Sequence, residues 1–217
     1  MLSQAFAFGS CRMRLLGCPY CVTVLSSLTQ VFYWLDIIEG KRRPPDTLKL
    51  KELLCFEQAD DERWHYDLIQ PRSIIVEVCT AKTLWYMDHP VSLLANYRRD
   101  GLGVPTRLVT ATSDELCAEL HVLRQRLPGK FLVFVCQQSY QADNFSMYYG
   151  TVEARQMIRD VIFRSAGELP DCAAYDPTAR VAEMGVKTCL TDLHHWTTYG
   201  GQVFSEDIEN LIPENFK

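Results

Sequence analysis

The sequence predicts a three-layer α/β/α fold built around a parallel sheet of about five strands, as one domain spanning residues 1–217. Three observations carry that expectation. Residues 4–9, Ser73–Cys79 and Phe131–Cys136 are short runs that are apolar almost throughout, the pattern of strands covered on both faces. Long segments with helical spacing separate them, which suits crossover connections rather than hairpins. The chain is also long enough to bury one substantial core, while two full domains would be crowded into it.

Taken in order, residues 4–9 form the first strand. The run Val22–Ile38 reads as a helix, with Leu25, Leu28, Phe32, Leu35 and Ile38 on one stripe and Gly40 as the stop. Pro44 and Pro45 break the chain, a short helix follows from Thr47 to about Cys55, and residues 57–64 read as a polar loop. Ser73–Cys79 is the second strand. Residues 80–100 fit no single pattern, and Pro90 limits any helix there. Gly101–Pro105 is a loop, and Arg107–Val109 a short strand. Ser113–Arg126 reads as a capped helix ended by Pro128 and Gly129. Phe131–Cys136 is the third clear strand, residues 137–149 a polar loop, Val152–Ala166 a helix, and Ala173–Tyr175 a short strand. Asp176-Pro177-Thr178 offers a helix start with Asp as cap, and Gly185 closes that helix. The last helix covers much of residues 197–211.

Charge excludes some functions. The chain has 22 Lys and Arg against 27 Asp and Glu, a formal net charge of -5. Lys41-Arg42-Arg43 and Arg98-Arg99 are too short and scattered for a basic stripe, so neither nucleic acid nor a membrane is expected as partner. No secretory leader and no run of ~18 apolar residues is seen. Nine cysteines, an odd number with several inside apolar runs, suggest free thiols in a reducing, cytoplasmic compartment. Oligomeric state is not legible.

Chemistry is expected at the carboxyl edge of the sheet, where sites form in folds of this class. Ala5-Phe6-Ala7-Phe8-Gly9-Ser10-Cys11-Arg12 runs from strand through a glycine turn into a helix start. There the Cys11 thiol would be partly ionised by the helix end and nearby donors. Near the other end of the chain, Asp192-Leu193-His194-His195-Trp196-Thr197 places a carboxylate three residues before an imidazole, so that Asp192 can orient His195 toward a nucleophile. The plainer reading has Asp192 capping a helix and both histidines on the surface. Glu77, inside an apolar strand, faces the site or is a paired buried acid. Trp196 and Tyr199 could wall a pocket or simply pack.

Two cysteine readings compete. Cys18-Pro19-Tyr20-Cys21 matches the glutaredoxin redox tetrapeptide, but that motif needs a strand leading into it and a helix starting at it. Joined to His194 and His195 it could hold zinc, although the usual histidine spacing is absent. Neither a cofactor nor a metal is expected; Gly101-Leu102-Gly103 lacks the context of a dinucleotide fingerprint.

The two ends together resemble the SGNH/GDSL hydrolase superfamily, in which a strand runs into Gly-Asp-Ser and an Asp-x-x-His motif precedes the final helix. The likeness would also make the sheet flavodoxin-like. Carried over by residue, Gly9-Ser10-Cys11 takes the place of Gly-Asp-Ser, with Cys11 as nucleophile and Ser10 as the alternative, and Asp192 and His195 match the Asp and His. The Gly-Ser-Cys variant is similar to the GSCFA group and to capsule-biosynthesis proteins bearing Gly-Asn-Cys. The GSCR, VEV and DPT pieces with the DLHHWT loop look like bacterial SGNH-like proteins. The superfamily's Gly and Asn oxyanion contributors have no clear match. Thr80 and either Gln137 or Gln138 stand at roughly their places, Gln138 being able to donate an amide N–H, with the Ser10 and Cys11 backbone N–H groups beside Gly9 completing the hole. The implied activity is hydrolysis or transfer of an acyl ester or thioester on a small or carbohydrate-linked substrate. The alternatives are a non-catalytic protein binding a ligand in the same pocket and a thiol–disulfide enzyme run from Cys18 and Cys21.

Overall fold

The computed structural model describes residues 2, 4–23, 25–43, 68, 70–91, 106–139, 151–191 and 195–217. Five parallel strands form the main sheet: β1 (Ala5–Phe8), β2 (Tyr20–Val22), β3 (Ser73–Val78), β7 (Phe131–Cys136) and β8 (Cys172–Tyr175), in the order β2-β1-β3-β7-β8. The order reverses between β1 and β3, and at such a switch point the loops leaving two neighbouring strands diverge and open a crevice.

Alternation along the strands sorts the core into two layers. Phe6, Phe8, Ile74, Val76, Val78, Leu132 and Phe134 face one side, where α1 (Leu28–Ile38), α2 (Ser113–Arg126) and α3 (Val152–Glu168) pack. Ala5, Ala7, Ile75, Val133 and Val135 face the other. That side is covered by the 3-10 helix Cys11–Leu16 and by α6 (Thr198–Leu211), through Met13, Leu16, Val203, Phe204 and Ile208. The layers are those expected: helices on both faces of a parallel sheet.

The sequence misplaced one region and showed no single pattern in another. Residues 20–22 are strand, paired in parallel with β1 from Phe6↔Tyr20 to Phe8↔Val22, and α1 begins only at Leu28. Val22 and Leu25 are buried in the same core as α1, so a stripe at helical spacing was filled from two different elements. Residues 82–91 form a hairpin, β4 (Lys82–Tyr86) and β5 (His89–Val91), turning at Met87 with φ 52°. Strand β6 (Arg107–Thr110) pairs antiparallel with β4, so it belongs to a second, three-stranded sheet. Pro90 is accommodated on the edge strand of that sheet, where a missing N–H is harmless. The expected helix 47–55, the loops 57–64 and 101–105, and most of loop 137–149 lie outside the described residues.

The remaining boundaries agree within a residue or two. Thr112 caps α2, accepting from the Glu115 N–H at 3.2 Å while Glu115 accepts from the Thr112 N–H at 2.7 Å. Asp176 receives the Thr178 N–H at 2.8 Å at the start of α4 (Thr178–Met184). Gly185, at φ 92°, separates α4 from the short α5 (Val186–Cys189). No described helix is long and apolar enough to cross a membrane.

Candidate functional site at the switch point

The turn after β1 is squeezed between its neighbours. Gly9 continues the pairing with the β2 side, donating to the Val22 carbonyl at 3.1 Å and accepting from the Leu25 N–H at 2.8 Å. A Cβ on Gly9 would lie 2.6 Å from Glu77 Cβ and 2.6 Å from Met13 Cγ. The glycine is required for close approach of β3, not for a left-handed turn.

Ser10 then caps the 3-10 helix. Its Oγ accepts from the Arg12 N–H at 3.4 Å and from Arg12 Nε at 3.0 Å, and its own N–H donates to Glu77 Oε2 at 2.8 Å. The residue is only 8% exposed. Both backbone and hydroxyl are thus committed to holding the turn, and the expected contribution of the Ser10 N–H to an oxyanion hole is corrected: that donor is taken by Glu77.

Beneath the turn sits a buried ion pair, Arg12 with Glu77. Glu77 is completely buried and Arg12 nearly so. A guanidinium in such a place must fill its whole fork. Nη2 meets Glu77 Oε1 and lies 3.4 Å from Cys79 Sγ, Nη1 donates to Gln138 Oε1 at 3.0 Å, and Nε reaches Ser10. The Trp196 ring lies 5.3 Å from Cζ, and Trp196 Nε1 donates to the same Gln138 oxygen at 3.4 Å. Arg155, a fully buried residue of α3, holds the Gln138 carbonyl at 2.8 Å. Segments from β1, β3, β7, α3 and the region before α6 are therefore tied to one another through Arg12 and Gln138.

The carboxyl-terminal region is seated on the amino-terminal one by packing as well. A Cβ on Gly201 would lie 2.5 Å from Leu15 Cβ, and Ser205 Oγ donates to the Leu16 carbonyl at 2.8 Å. Trp196 is buried edge-to-face on Phe204 at 4.8 Å, whereas Tyr199 is exposed. An isolated antiparallel bridge pairs Leu190 with Trp196, and the His195 carbonyl accepts from the Thr191 N–H at 2.9 Å.

The predicted residues fall into three groups. Cys11 and His195 are exposed, and each is one residue away from a member of the buried cluster, Arg12 or Trp196. Asp192 and His194 lie outside the described residues. Thr80, Gln137 and Gln138 are buried at the strand ends. The Thr80 N–H donates to the Ser26 carbonyl at 3.0 Å and its Oγ1 accepts from the Lys82 N–H at 3.1 Å, so it shapes the exit from β3. Gln138 acts through its oxygen as an acceptor for Arg12 and Trp196.

Electrostatics corrects a further expectation. The Cys11 pKa is raised, not lowered: the packing around the thiol desolvates the thiolate, Arg12 opposes this, and Glu77 reinforces it. The helix that begins there is a six-residue 3-10 helix, too short to supply the dipole expected of it. Burial also pushes both Cys18 and Cys21 up to about 12. These two flank the start of the edge strand β2 and no helix begins at them, so the surroundings of a reactive C-x-x-C are missing. A cleft of about 270 Å³ lined by Gln4, Pro19, Tyr20, Gln70, Pro71 and Arg72 lies at the amino ends of β1, β2 and β3, away from Cys11.

Sequence reasoning missed Arg12 and Arg155. Arg12 stands beside the nucleophile candidate in the GSCR piece, but its side chain turns inward, which no spacing reveals. Arg155 looks like any helix-surface arginine. No family model matches the chain, and no curated protein matches it. Among solved structures, a gut microbial diltiazem-metabolizing enzyme aligns with 96% of this chain and 46% of its own, at 12% identity and a TM-score of 0.43. The chain thus spans less than half the length of that neighbour.

Proposed function

We propose that the protein is an SGNH-like acyl hydrolase or acyltransferase whose nucleophile is Cys11, acting on an ester or thioester of a small or carbohydrate-linked substrate. One observation supports this reading: Arg12 and Trp196 meet at Gln138, which brings together the chain segments that carry Cys11 and His195, 184 positions apart in sequence. Ser10 is already engaged on both sides, which favours Cys11 over it.

In the proposed reaction Cys11 Sγ attacks the acyl carbonyl and its proton passes to His195, held by Asp192. Collapse of the tetrahedral intermediate breaks the bond to the leaving alkoxide or thiolate, which takes that proton. Water or an acceptor hydroxyl then cleaves the acyl-thioester by the reverse sequence. A raised thiol pKa makes the base essential, because little thiolate forms at neutral pH without it. The Cys11 N–H is the backbone donor proposed for the oxyanion.

The test is a panel of p-nitrophenyl esters and acyl thioesters assayed with wild type, Cys11→Ala and His195→Ala, with intact-mass detection of the acyl-enzyme. A mass increase by one acyl group on the Cys11 peptide, absent in Cys11→Ala, supports the proposal. Turnover that survives Cys11→Ala, or no acylation with any substrate, rejects it and leaves ligand binding without catalysis as the reading.

A further inference from the structure

We propose that Cys117, His121 and Glu168 form a transition-metal site of the zinc type that clips α2 to α3, apart from the switch-point site and independent of its chemistry. Cys117 and His121 are four residues apart on α2, so their side chains stack along one face of the helix. Leu116, Leu120 and Leu123 of the same helix are fully buried in the core beneath it, which leaves the Cys117–His121 stripe at the flank where α3 packs. Glu168 closes the last turn of α3. The Cys117 sulfur, a His121 ring nitrogen and a Glu168 carboxylate oxygen all lie within 4.8 Å of one another. His121 Nε2 and Glu168 Oε2 are already 3.8 Å apart.

That spacing is close to what a metal requires. Zinc held at ~2.3 Å by sulfur and ~2.0–2.1 Å by nitrogen and oxygen puts tetrahedral ligand atoms roughly 3.3–3.6 Å apart. The remaining closure is about an ångström, within reach of rotamer adjustment because the His121 and Glu168 side chains are 41% and 54% exposed. Both helix backbones can stay where they are.

The ligand set selects the ion. A thiolate with an imidazole and one carboxylate suits zinc and its neighbours, not calcium or magnesium, which prefer oxygen throughout. Three protein ligands leave a fourth position for water. The outer shell is partly in place: Ser165 Oγ, completely buried on α3, lies 3.5 Å from Cys117 Sγ and can donate to the thiolate. Cys117–Ser165 and His121–Glu168 form two successive rungs between the helices, and a bound ion would join them. Binding to the folded chain alone would stabilise it.

The experiment uses the full reduced chain, stripped of metal, titrated with Co2+ and separately with Zn2+ against a chromophoric chelator. Wild type is expected to bind one equivalent of Co2+ with the near-ultraviolet charge-transfer band of a thiolate–cobalt bond, and to melt at a higher temperature with Zn2+ present. Cys117→Ser loses that band. His121→Ala and Glu168→Ala, on half-exposed side chains that the fold does not need, weaken binding by at least about tenfold. Cys18→Ser/Cys21→Ser, which removes two thiols outside the proposed site, leaves it unchanged. Absence of saturable binding at micromolar metal overturns the proposal. So does a charge-transfer band that survives Cys117→Ser or disappears with the Cys18/Cys21 pair.

Discussion

Changing Glu77 to Gln keeps the size of the side chain and removes the charge that answers Arg12. Arg12 is 3% exposed and Glu77 0%, so water cannot take over the vacated role. Breaking a buried ion pair from one side costs about 3–5 kcal/mol, because the surviving charge is left unpaired. The Ser10 N–H would also exchange a charge-assisted acceptor for a neutral one, worth a further ~1 kcal/mol. A loss of about 4–6 kcal/mol is expected, a large share of the ~5–15 kcal/mol that holds a typical domain together. Urea unfolding followed by tryptophan fluorescence measures it, since Trp34 and Trp196 are both buried. Arg12→Met should cost a similar amount. The double variant Arg12→Met/Glu77→Leu should cost less than either single change, because no unpaired charge remains. A Glu77→Gln loss below ~1 kcal/mol, or single losses that simply add in the double variant, would refute the reasoning.

Other outcomes follow from close contacts and buried thiols. Gly9→Ala drives a methyl into Glu77 and Met13 and should destabilise by ~1–3 kcal/mol, as overpacking does, read in the same unfolding assay. Gly201→Ala meets the Leu15 backbone and Cβ and should lower stability while loosening α6 from the 3-10 helix, visible as faster amide exchange in residues 11–16. Cys18 and Cys21, pushed up to about 12, should resist alkylation at neutral pH, gaining roughly tenfold in rate per pH unit below that value. Their raised pKa also sets the sign of an alkaline effect. The folded state favours the protonated thiols, so their contribution is complete below the ordinary value of 9.0 and is lost as pH rises from there toward about 12. Cys18→Ser/Cys21→Ser should flatten the fall in melting temperature over that window.

The sheet was legible because its central strands are apolar on both faces, a pattern that only a covered parallel strand needs. Its edge strand β2 was not legible, since Tyr20-Cys21-Val22 is too short to show alternation and its last residue, Val22, reads as the start of the helical stripe that follows. The hairpin at 82–91 escaped for a related reason: Met87 turns it without a glycine, and Pro90 speaks only against a helix there. At the site, the Gly-Ser-Cys turn, Glu77 and Trp196 were readable from residue type and position. The direction of the Arg12 side chain was not, and neither was the desolvation that raises the Cys11 pKa although Arg12 opposes it. The sequence places a thiol at a helix start and so suggests activation, whereas the packed turn disfavours the thiolate. Spacing reports which groups are present; only packing decides which of them water can reach.

The proposal that Cys11 is a nucleophile served by His195 is tested most directly by iodoacetamide labelling of the reduced protein across pH, read peptide by peptide in wild type and His195→Ala. The account predicts faster Cys11 labelling at neutral pH in wild type than in His195→Ala, because the imidazole takes the proton that the raised thiol pKa otherwise retains. Superimposable profiles for the two proteins would contradict it.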